Sequence, residues 1–475
     1  MQYSYDSRGR LISVAAPQGT TEITYMGAAS LQRSIRDPHA GKTEYEYYLT
    51  PGEASFGKLK TEIRGGYKTT FEYNAGFGRL SKKTVETENG ASLHETTIYA
   101  YDETDTPFGN GKLTTLTYTS TPLGAGSQDG FTIQERYAYD ARGEVVQTIR
   151  RISHETETLC ADADAMPCLQ IFGKQKDNIG RVTEMLYPDG TKTSVEYVDD
   201  YFSHVKTIQH PSTSGISVTY SDYTYDVAPH VGRVTYGNGV EHRYIYDQTT
   251  GLLNTMKIGT QGTQNFASLL DLQYEYDNSY NIKRITDNVV PDLSAVFDYD
   301  ANKRIRSAAL DSGVVRTYQF DHGSGAGSMG NIVQKDNRRL TYAAGKTVPA
   351  SDELFDDTTQ QWQPNETFTW SEDGNLLTKG PFIYTYDAGS MMSSAVEDLG
   401  GGQVATTRFY YDHTGQRFLK TYTRNAVTIK TWYLGDGIEL REKYNPSTGS
   451  GQAQFEAYQA TKYIYGIDDK KVASI

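Results

Sequence analysis

Aromatic and polar residues alternate along this chain in short runs, and a turn-forming segment follows each run. In the run from Tyr384 to Asp387, two tyrosines stand two residues apart and an aspartate comes directly after them. Because successive side chains of a strand point to opposite faces, both tyrosines lie on one face. The aspartate can accept backbone N–H groups in a turn, and the glycine that follows, Gly389, can adopt a positive φ. The pattern predicts a strand, a turn and a returning strand.

This Tyr-x-Tyr-Asp unit recurs along the chain, at intervals of 21, 30, 23 and 21 residues between the aspartates of its middle part. A spacing of about 20 residues with insertions indicates one hairpin per repeat. We expect the tyrosines to stack as an aromatic ladder between strands and the aspartate to end each strand. The structural residues of the motif are Tyr3, Tyr5, Asp6, Gly9, Arg10, Tyr137, Tyr139, Asp140, Gly143, Tyr244, Tyr246, Asp247, Tyr274, Tyr276, Asp277, Tyr384, Tyr386, Asp387, Tyr411 and Asp412.

An arginine often follows the turn glycine, and it is expected to pair with the aspartate of a neighbouring repeat. The arginines in question are Arg10, Arg79, Arg181 and Arg233. Two further turns stand out between the motifs. Pro188-Asp-Gly predicts a tight hairpin turn, and Asn238-Gly favours the type I′ geometry of two-residue hairpins.

The sequence predicts one continuous β-sheet body over residues 1–475. Two stretches interrupt the pattern. Residues 153–170 form an insert that contains both cysteines, and residues 343–367, with two prolines and an acidic run, are expected to be an irregular surface excursion. No amphipathic helix of normal length is evident.

Composition agrees with an extended sheet. Hydrophobic residues make up 37% of the chain, tyrosine outnumbers phenylalanine by 38 to 16, and the mean hydropathy is −0.61. The hydrophobic fraction and the mean hydropathy are low for one solid core of this size, and they suit a sheet whose faces are partly exposed to solvent. The net charge of −13 argues against nucleic-acid binding and against docking on anionic lipid. No apolar run approaches the length of a membrane span.

The chain begins inside a repeat, without the basic and apolar segments of a signal peptide. We therefore expect it to be a segment of a longer protein. Cys160 and Cys168 could close a disulfide loop, as in an exported protein, or stay as two free thiols. Zinc binding is not expected, because no CxxC pair or histidine cluster accompanies them.

The unit from Tyr3 to Leu11, Tyr-x-Tyr-Asp-x-x-Gly-Arg-Leu, resembles the YD repeat of RHS proteins, and the resemblance covers essentially the whole chain. That family includes bacterial Rhs polymorphic toxins, the B and C components of Tc insecticidal toxins, and the teneurin shell. The resemblance implies an all-β fold in which a long array of β-hairpins spirals into a hollow, cocoon-like shell. In the toxin members, the shell encloses a C-terminal toxic polypeptide.

One feature of the toxin family is missing from this sequence. The self-cleaving core of those proteins has paired Asp-Pro-x-Gly elements, whereas this chain has a single Asp-Pro at Asp37, near the other end. The tail from Tyr463 to Ile475 resembles the segment that precedes the core. We therefore expect the core and the toxic polypeptide to lie outside this chain.

Other candidate motifs are weak. Gly325 to Gly330 matches GxGxxG, but a strand-like segment follows it where a dinucleotide site needs a helix. The pairs His94-Glu95 and His154-Glu155 lack the second histidine of a zinc protease, and we expect both at the surface. Asp162 and Asp164 form a lone DxD, a poor calcium signal. Nothing singles out two facing carboxylates, so we assign no catalytic residue, cofactor or metal.

The leading hypothesis is a non-enzymatic structural shell segment of an exported bacterial toxin. Its expected partners are the toxic cargo polypeptide and other toxin components or secretion machinery, and its expected location is extracellular. The alternative is an exported adhesion module that recognises carbohydrate or a cell-surface partner through exposed aromatic rows. A hydrolase on a β scaffold is the weakest hypothesis.

Overall fold

The computed structural model describes residues 1–16, 19–27, 30–37, 41–121, 130–154, 164–199, 204–210, 216–221, 230–262, 266, 268–321, 330–343, 346–435, 437–445, 454–465 and 471–474. These residues form β-strands and turns, with one short 3-10 helix at Pro291–Leu293. No helix in this part of the chain is long and apolar enough to cross a membrane.

Thirty-eight strands follow one another along the chain. They are β1 (Gln2–Tyr5), β2 (Leu11–Ala16), β3 (Gly19–Tyr25), β4 (Gln32–Asp37), β5 (Gly41–Tyr47), β6 (Leu59–Arg64), β7 (Tyr67–Tyr73), β8 (Leu80–Thr87), β9 (Leu93–Tyr101), β10 (Leu113–Ser120), β11 (Phe131–Tyr139), β12 (Val145–His154), β13 (Leu169–Lys176), β14 (Val182–Leu186), β15 (Lys192–Tyr197), β16 (Val205–His210), β17 (Ile216–Ser221), β18 (Arg233–Tyr236), β19 (Val240–Tyr246), β20 (Leu253–Thr260), β21 (Leu270–Tyr276), β22 (Ile282–Asp287), β23 (Ala295–Tyr299), β24 (Ile305–Leu310), β25 (Val315–Phe320), β26 (Ile332–Lys335), β27 (Arg338–Tyr342), β28 (Pro349–Asp356), β29 (Gln361–Trp370), β30 (Leu376–Lys379), β31 (Phe382–Tyr386), β32 (Met392–Gly400), β33 (Gln403–Tyr411), β34 (Arg417–Arg424), β35 (Val427–Leu434), β36 (Ile438–Asn445), β37 (Gln454–Tyr465) and β38 (Lys471–Ser474).

Each strand pairs antiparallel with the strands before and after it, so the chain is one unclosed meander. All odd-numbered strands therefore run toward the same edge of the sheet. Most of them end on a tyrosine, and the motif aspartates lie in the turns that follow. We call this edge, marked by Asp6, Asp140, Asp277, Asp387 and Asp412, the aspartate edge. The turns after even-numbered strands form the opposite edge.

A β-bulge recurs beside the aspartate edge. In the first hairpin Ser4 pairs with Ser13 and Tyr5 pairs with Leu11, so one residue of the returning strand is skipped. The same shift precedes the last aromatic residue in most odd-numbered strands, as at Tyr276 and Tyr386. Because a bulge bends its strand and increases the local twist, a bulge repeated on one edge makes the sheet curl.

The curl brings distant strands together. Phe131, at the start of β11, packs against Tyr410 near the end of β33, with ring centroids 6.1 Å apart. These strands are 22 positions apart in strand order. We call β4–β13 the first pass, β29–β36 the second pass, and the contact between them the seam. At the seam, the aspartate edge of the second pass meets the opposite edge of the first.

The largest buried cluster lies at this seam. Leu116, Phe131 and Ile133 of the first pass pack with Phe418 and Trp432 of the second pass. Away from it the sheet is thin. The accessible surface is 27239 Å², whereas a compact monomer of 53.0 kDa would expose about 17,700 Å². A single curled layer explains the excess, and a solid globule does not.

Two local predictions were wrong. Residues 343–367, predicted as an irregular excursion, contain β28 and the start of β29, which pair with each other. The Asn238-Gly turn is not type I′, since only Gly239 has a positive φ there. Gly239 N–H instead donates to Tyr236 O at 2.9 Å, as in a three-residue loop with a bulge. The Pro188-Asp-Gly turn does join β14 to β15.

Candidate functional site

The aspartate edge is built by the same turn chemistry in most of the described motifs. In the first hairpin, Asp6 Oδ1 accepts the N–H groups of Arg8 at 2.9 Å and Arg10 at 3.0 Å, while Gly9 has a φ of +78°. The hydrogen bond from the Arg10 backbone holds the pKa of Asp6 below its usual range. Equivalent aspartate-to-backbone hydrogen bonds occur at Asp140, Asp177, Asp247, Asp277, Asp300, Asp387 and Asp412.

The second tyrosine of the motif ties neighbouring hairpins together. Tyr276, at the end of β21, donates its hydroxyl to Leu253 O, at the start of β20, at 2.7 Å. Trp370 takes this role in β29, where its Nε1–H donates to Pro349 O at 2.7 Å. Burial raises the pKa of Tyr276. The same contact is made by Tyr25, Tyr101, Tyr139, Tyr197, Tyr246, Tyr299, Tyr342 and Tyr411.

The first tyrosines of the motif are less uniform. The Tyr137 hydroxyl donates to Glu135 in the seam. Tyr384 stacks on Phe382 of its own strand, with ring centroids 6.1 Å apart, and burial raises the pKa of Tyr274. Tyr244 lies within 3.3 Å of His242 Nδ1, and Tyr3 is 53% exposed. The predicted ladder of like tyrosines is therefore replaced by varied contacts at these positions.

The motif arginines act differently from the prediction in most cases. Arg10 and Arg181 pair with the aspartates of their own turns, at 2.6 Å in each case. Arg79 does pair with Asp102 of the next repeat, and Arg233 pairs with Glu241. The guanidinium of Arg10 also stacks over Tyr25 at 4.5 Å, and Arg181 over Tyr197 at 4.5 Å. Arg10 and Arg181 thus contact the next hairpin through the ring of a tyrosine in that hairpin.

At the seam the aspartate edge makes contacts that other turns do not. Asp412 uses Oδ1 for its own turn and accepts Arg150 Nη2 of β12 with Oδ2 at 3.0 Å. Arg150 also pairs with Glu135 of β11 at 2.6 Å. The side chains of Asp412, Glu135 and Arg150 are 0%, 5% and 13% exposed. This buried triad connects chain positions 262 residues apart.

Sequence reasoning missed a second cluster at the seam. His94 and Glu95, expected at the surface, line a cavity of about 450 Å³ together with Asp387. His94 is only 6% exposed. Burial raises the pKa of Asp387, whereas the other motif aspartates with a resolved shift have a lowered pKa. The alternating pattern places His94 on one strand face, but it does not show that the second pass covers it.

The remaining candidates that fall on described residues yield no further site. Cys168 is buried and disulfide-bonded; Cys160 lies outside the described residues, as do Asp162, Glu155, most of the GxGxxG segment and the Pro38 turn. Asp164 is 79% exposed and pairs with Arg151. Among the described residues, no group of three or more potential ligands could hold a metal ion.

Exposed aromatic rings lie mostly at turns. The side chains of Phe56, Phe77 and Phe108 are 54%, 78% and 61% exposed, and all three are in turns of the aspartate edge. In the described strands, exposed aromatic residues occur in β1, at Tyr3 and Tyr5. Beyond β1, the strand residues whose exposure is described, which leave out the aromatic residues of β37, thus offer no exposed aromatic row of the kind that the carbohydrate hypothesis needs.

The curled antiparallel meander is the fold of the RHS-repeat shell of Tc toxins, which confirms the resemblance seen in the YD motif at the level of the fold. A TcdB2-TccC3-TEV structure superimposes with a TM-score of 0.70 at 16% identity, over 98% of this chain and 24% of that one. A Tc holotoxin pore from Photorhabdus luminescens gives a TM-score of 0.67 at 15% identity, over 100% of this chain and 25% of that one. TcdB2-TccC3 without its hypervariable C-terminal region gives 0.68 at 16%, over 100% and 25%.

This chain thus spans about a quarter of the length of the structures it resembles. No family model matches the sequence. No curated protein matches it either.

Proposed function

We propose that this chain is a wall segment of a bacterial toxin shell and that the shell encloses a polypeptide. The observation that carries the proposal is the seam, because a sheet that meets itself after 22 strands must wrap around a space. The wall is held by hairpin-to-hairpin contacts, such as the Tyr276 hydroxyl on Leu253 O, and by the buried triad at Arg150. In this function no single residue is catalytic.

The size of the enclosed space supports the proposal. Strands in a sheet are about 4.8 Å apart, so 22 strands give a perimeter of about 105 Å and a backbone-to-backbone diameter of about 34 Å. Side chains take up about 5 Å of the radius on the inner face, because packed sheets lie about 10 Å apart. A width of about 24 Å remains, which accommodates an extended chain or a helix about 10–12 Å across.

Protease protection in the native protein tests this function. We expect the enclosed polypeptide to resist digestion while the shell is folded, and to be cleaved after the shell is denatured. Cryo-electron microscopy of the same sample should show additional density inside the wall formed by residues 1–475. Digestion of that polypeptide at the same rate as when it is free, or a lumen filled by wall side chains, would contradict the proposal.

A further inference from the structure

The cavity of about 450 Å³ at the seam has walls from both passes. The first pass contributes His94, Glu95 and Tyr118, and the second contributes Asp387 and Tyr410. Pockets that bind small ligands commonly have volumes of about 300–1,000 Å³. The turn, tyrosine and arginine contacts that build the wall leave this cavity unused.

The His94 imidazole lies in the cavity wall, and its nitrogens make no hydrogen bond with the described residues. Its side chain is more than nine-tenths buried, and neither Nδ1 nor Nε2 has a hydrogen-bond partner within the described residues. The ring packs at right angles to Tyr67, with centroids 5.3 Å apart. Burial lowers the pKa of His94, so the imidazole is neutral near pH 7 and one nitrogen can accept a hydrogen bond.

The two carboxyl groups of the cavity also have unused acceptors. Asp387 Oδ1 accepts Gly389 and Met391 N–H, both at 2.9 Å, while Oδ2 contacts no donor in the described part of the chain. Glu95 accepts the Tyr118 hydroxyl and forms no ion pair among the described residues. Burial raises the pKa of both, and the charge of Asp387 raises that of Glu95 further.

The charges that face these carboxyl groups come from several strands. The positive charge of Lys83 on β8 partly opposes the rise that burial causes in the pKa of Glu95. Tyr67, Tyr118 and Tyr411 interact electrostatically with Asp387. Arg408 also lines the cavity. With both carboxylates ionised and His94 neutral, Glu95 and Asp387 present negative charge to the cavity. A cationic group therefore matches them.

The acceptors select one kind of cationic group. An ionised Glu95, Asp387 Oδ2 and one His94 nitrogen are three acceptors, and a primary ammonium has three N–H donors. The rings of Tyr118 and Tyr410 can cover an alkyl stem and face the cation. We propose that the seam cavity binds one primary ammonium group, that of a lysine side chain presented by a polypeptide.

Three small ligands test the donor requirement in the intact chain. N-acetyl-lysinamide, its trimethylammonium analogue and N-acetyl-norleucinamide share a stem but differ in N–H donors and charge. We expect the lysine ligand to bind at least about tenfold more tightly than either analogue, because charged hydrogen bonds are lost. Titration calorimetry and the NMR shifts of the His94 ring would report binding. Comparable binding of the trimethylammonium analogue, or no binding of the lysine ligand at millimolar concentration, would overturn the proposal.

Two near-isosteric variants locate the site. Glu95→Gln and Asp387→Asn each remove one charge, and an asparagine still accepts the turn N–H groups that Asp387 accepts. We expect about tenfold weaker binding in each, while Glu275→Gln, at an exposed position of β21, serves as the control and binds normally. Equal affinity in all three variants would overturn the proposal.

The pH dependence tests the proposal in the unmodified chain, whether or not the variants fold. Binding should weaken as pH falls through the raised pKa values of Glu95 and Asp387, because protonation removes the charged acceptors. Affinity that is unchanged down to pH 4 would argue against the carboxylates as the site. If n-butylammonium binds more tightly than a lysine-containing peptide, the occupant is a free amine and the polypeptide part of the proposal is wrong.

Discussion

Replacing Arg150 by methionine removes the one cation of the buried triad while keeping a similar stem. Three contacts are lost: Nε to Glu135 Oε1 at 2.7 Å, Nη2 to the same oxygen at 2.6 Å, and Nη2 to Asp412 Oδ2 at 3.0 Å. Two carboxylates that are 5% and 0% exposed then lose their shared cation. Breaking a buried ion pair in this way costs about 3–5 kcal/mol.

The loss of stability in this variant should be confined at first to the seam, because each hairpin keeps its own backbone hydrogen bonds. A penalty of about 3 kcal/mol corresponds to roughly 100-fold faster exchange through local opening. Hydrogen exchange followed by mass spectrometry should show this increase in peptides of β11, β12 and β33, and little change in β19–β22. A global two-state analysis is less suitable for a long repeat array, since its cooperativity can break down.

A matched control lies next to Glu135 in the same strand. Arg136 pairs with Asp105, but the two side chains are 48% and 62% exposed, so Arg136→Met should cost about 0–1 kcal/mol. Asp412→Asn keeps the Oδ1 acceptor of the turn, and its double mutant with Arg150→Met should show a coupling of about 1 kcal/mol or more. If Arg150→Met and Arg136→Met have the same effect on exchange, the triad does not hold the seam.

Three further predictions concern single hairpins and the seam. Tyr276→Phe should lower the free energy of local opening of β20 and β21 by about 1 kcal/mol in hydrogen exchange, through loss of its bond to Leu253 O, whereas Tyr280→Phe, at a 66% exposed residue, should change nothing; equal effects would refute the tether. Hydrogen bonds from the Asn281 side chain and backbone lower the pKa of Asp277, so its contribution is present above the unfolded pKa and is lost as pH falls below about 4; Asp277→Asn should flatten that acid-limb loss of stability, and an unchanged limb would contradict the assignment. Gly435→Ala forces a Cβ within 2.5 Å of Phe172 Cε1 at a φ of +59° and should lower the melting temperature more than Gly9→Ala, where the φ is +78° and the space is open; similar shifts would show that only backbone strain matters.

The hairpin unit could be predicted from sequence because its causes are local. The carboxylate of Asp6 and the N–H groups of Arg8 and Arg10 lie within five residues of each other, so a repeated motif reports a repeated turn. The prolines of residues 343–367 were misleading. Pro349 begins β28 and Pro364 lies at an irregularity in the pairing, which are positions where a strand tolerates a missing N–H.

The seam could not be predicted because it depends on curvature summed over many hairpins. Whether Asp412 reaches Arg150 depends on the total curvature that twist and β-bulges produce over 22 strands. The spacing of motifs in the sequence does not give that total curvature. The same holds for His94, whose neighbours in the chain resemble those of an exposed strand end. Buried groups at the seam therefore look like surface residues until the second pass covers them.

The strictly consecutive pairing of strands has a consequence for how this chain forms during synthesis. Each new strand needs only its immediate predecessor, so most hairpin contacts close short loops at small entropic cost. The emerging sheet exposes β1 at one edge and one growing strand at the other, and the rapid replacement of the growing strand limits the time available for mispairing and aggregation at that edge. Arg150, in contrast, must wait for 262 further residues before Asp412 appears. The nascent sheet therefore carries the Arg150–Glu135 pair without its third member until the later repeats arrive.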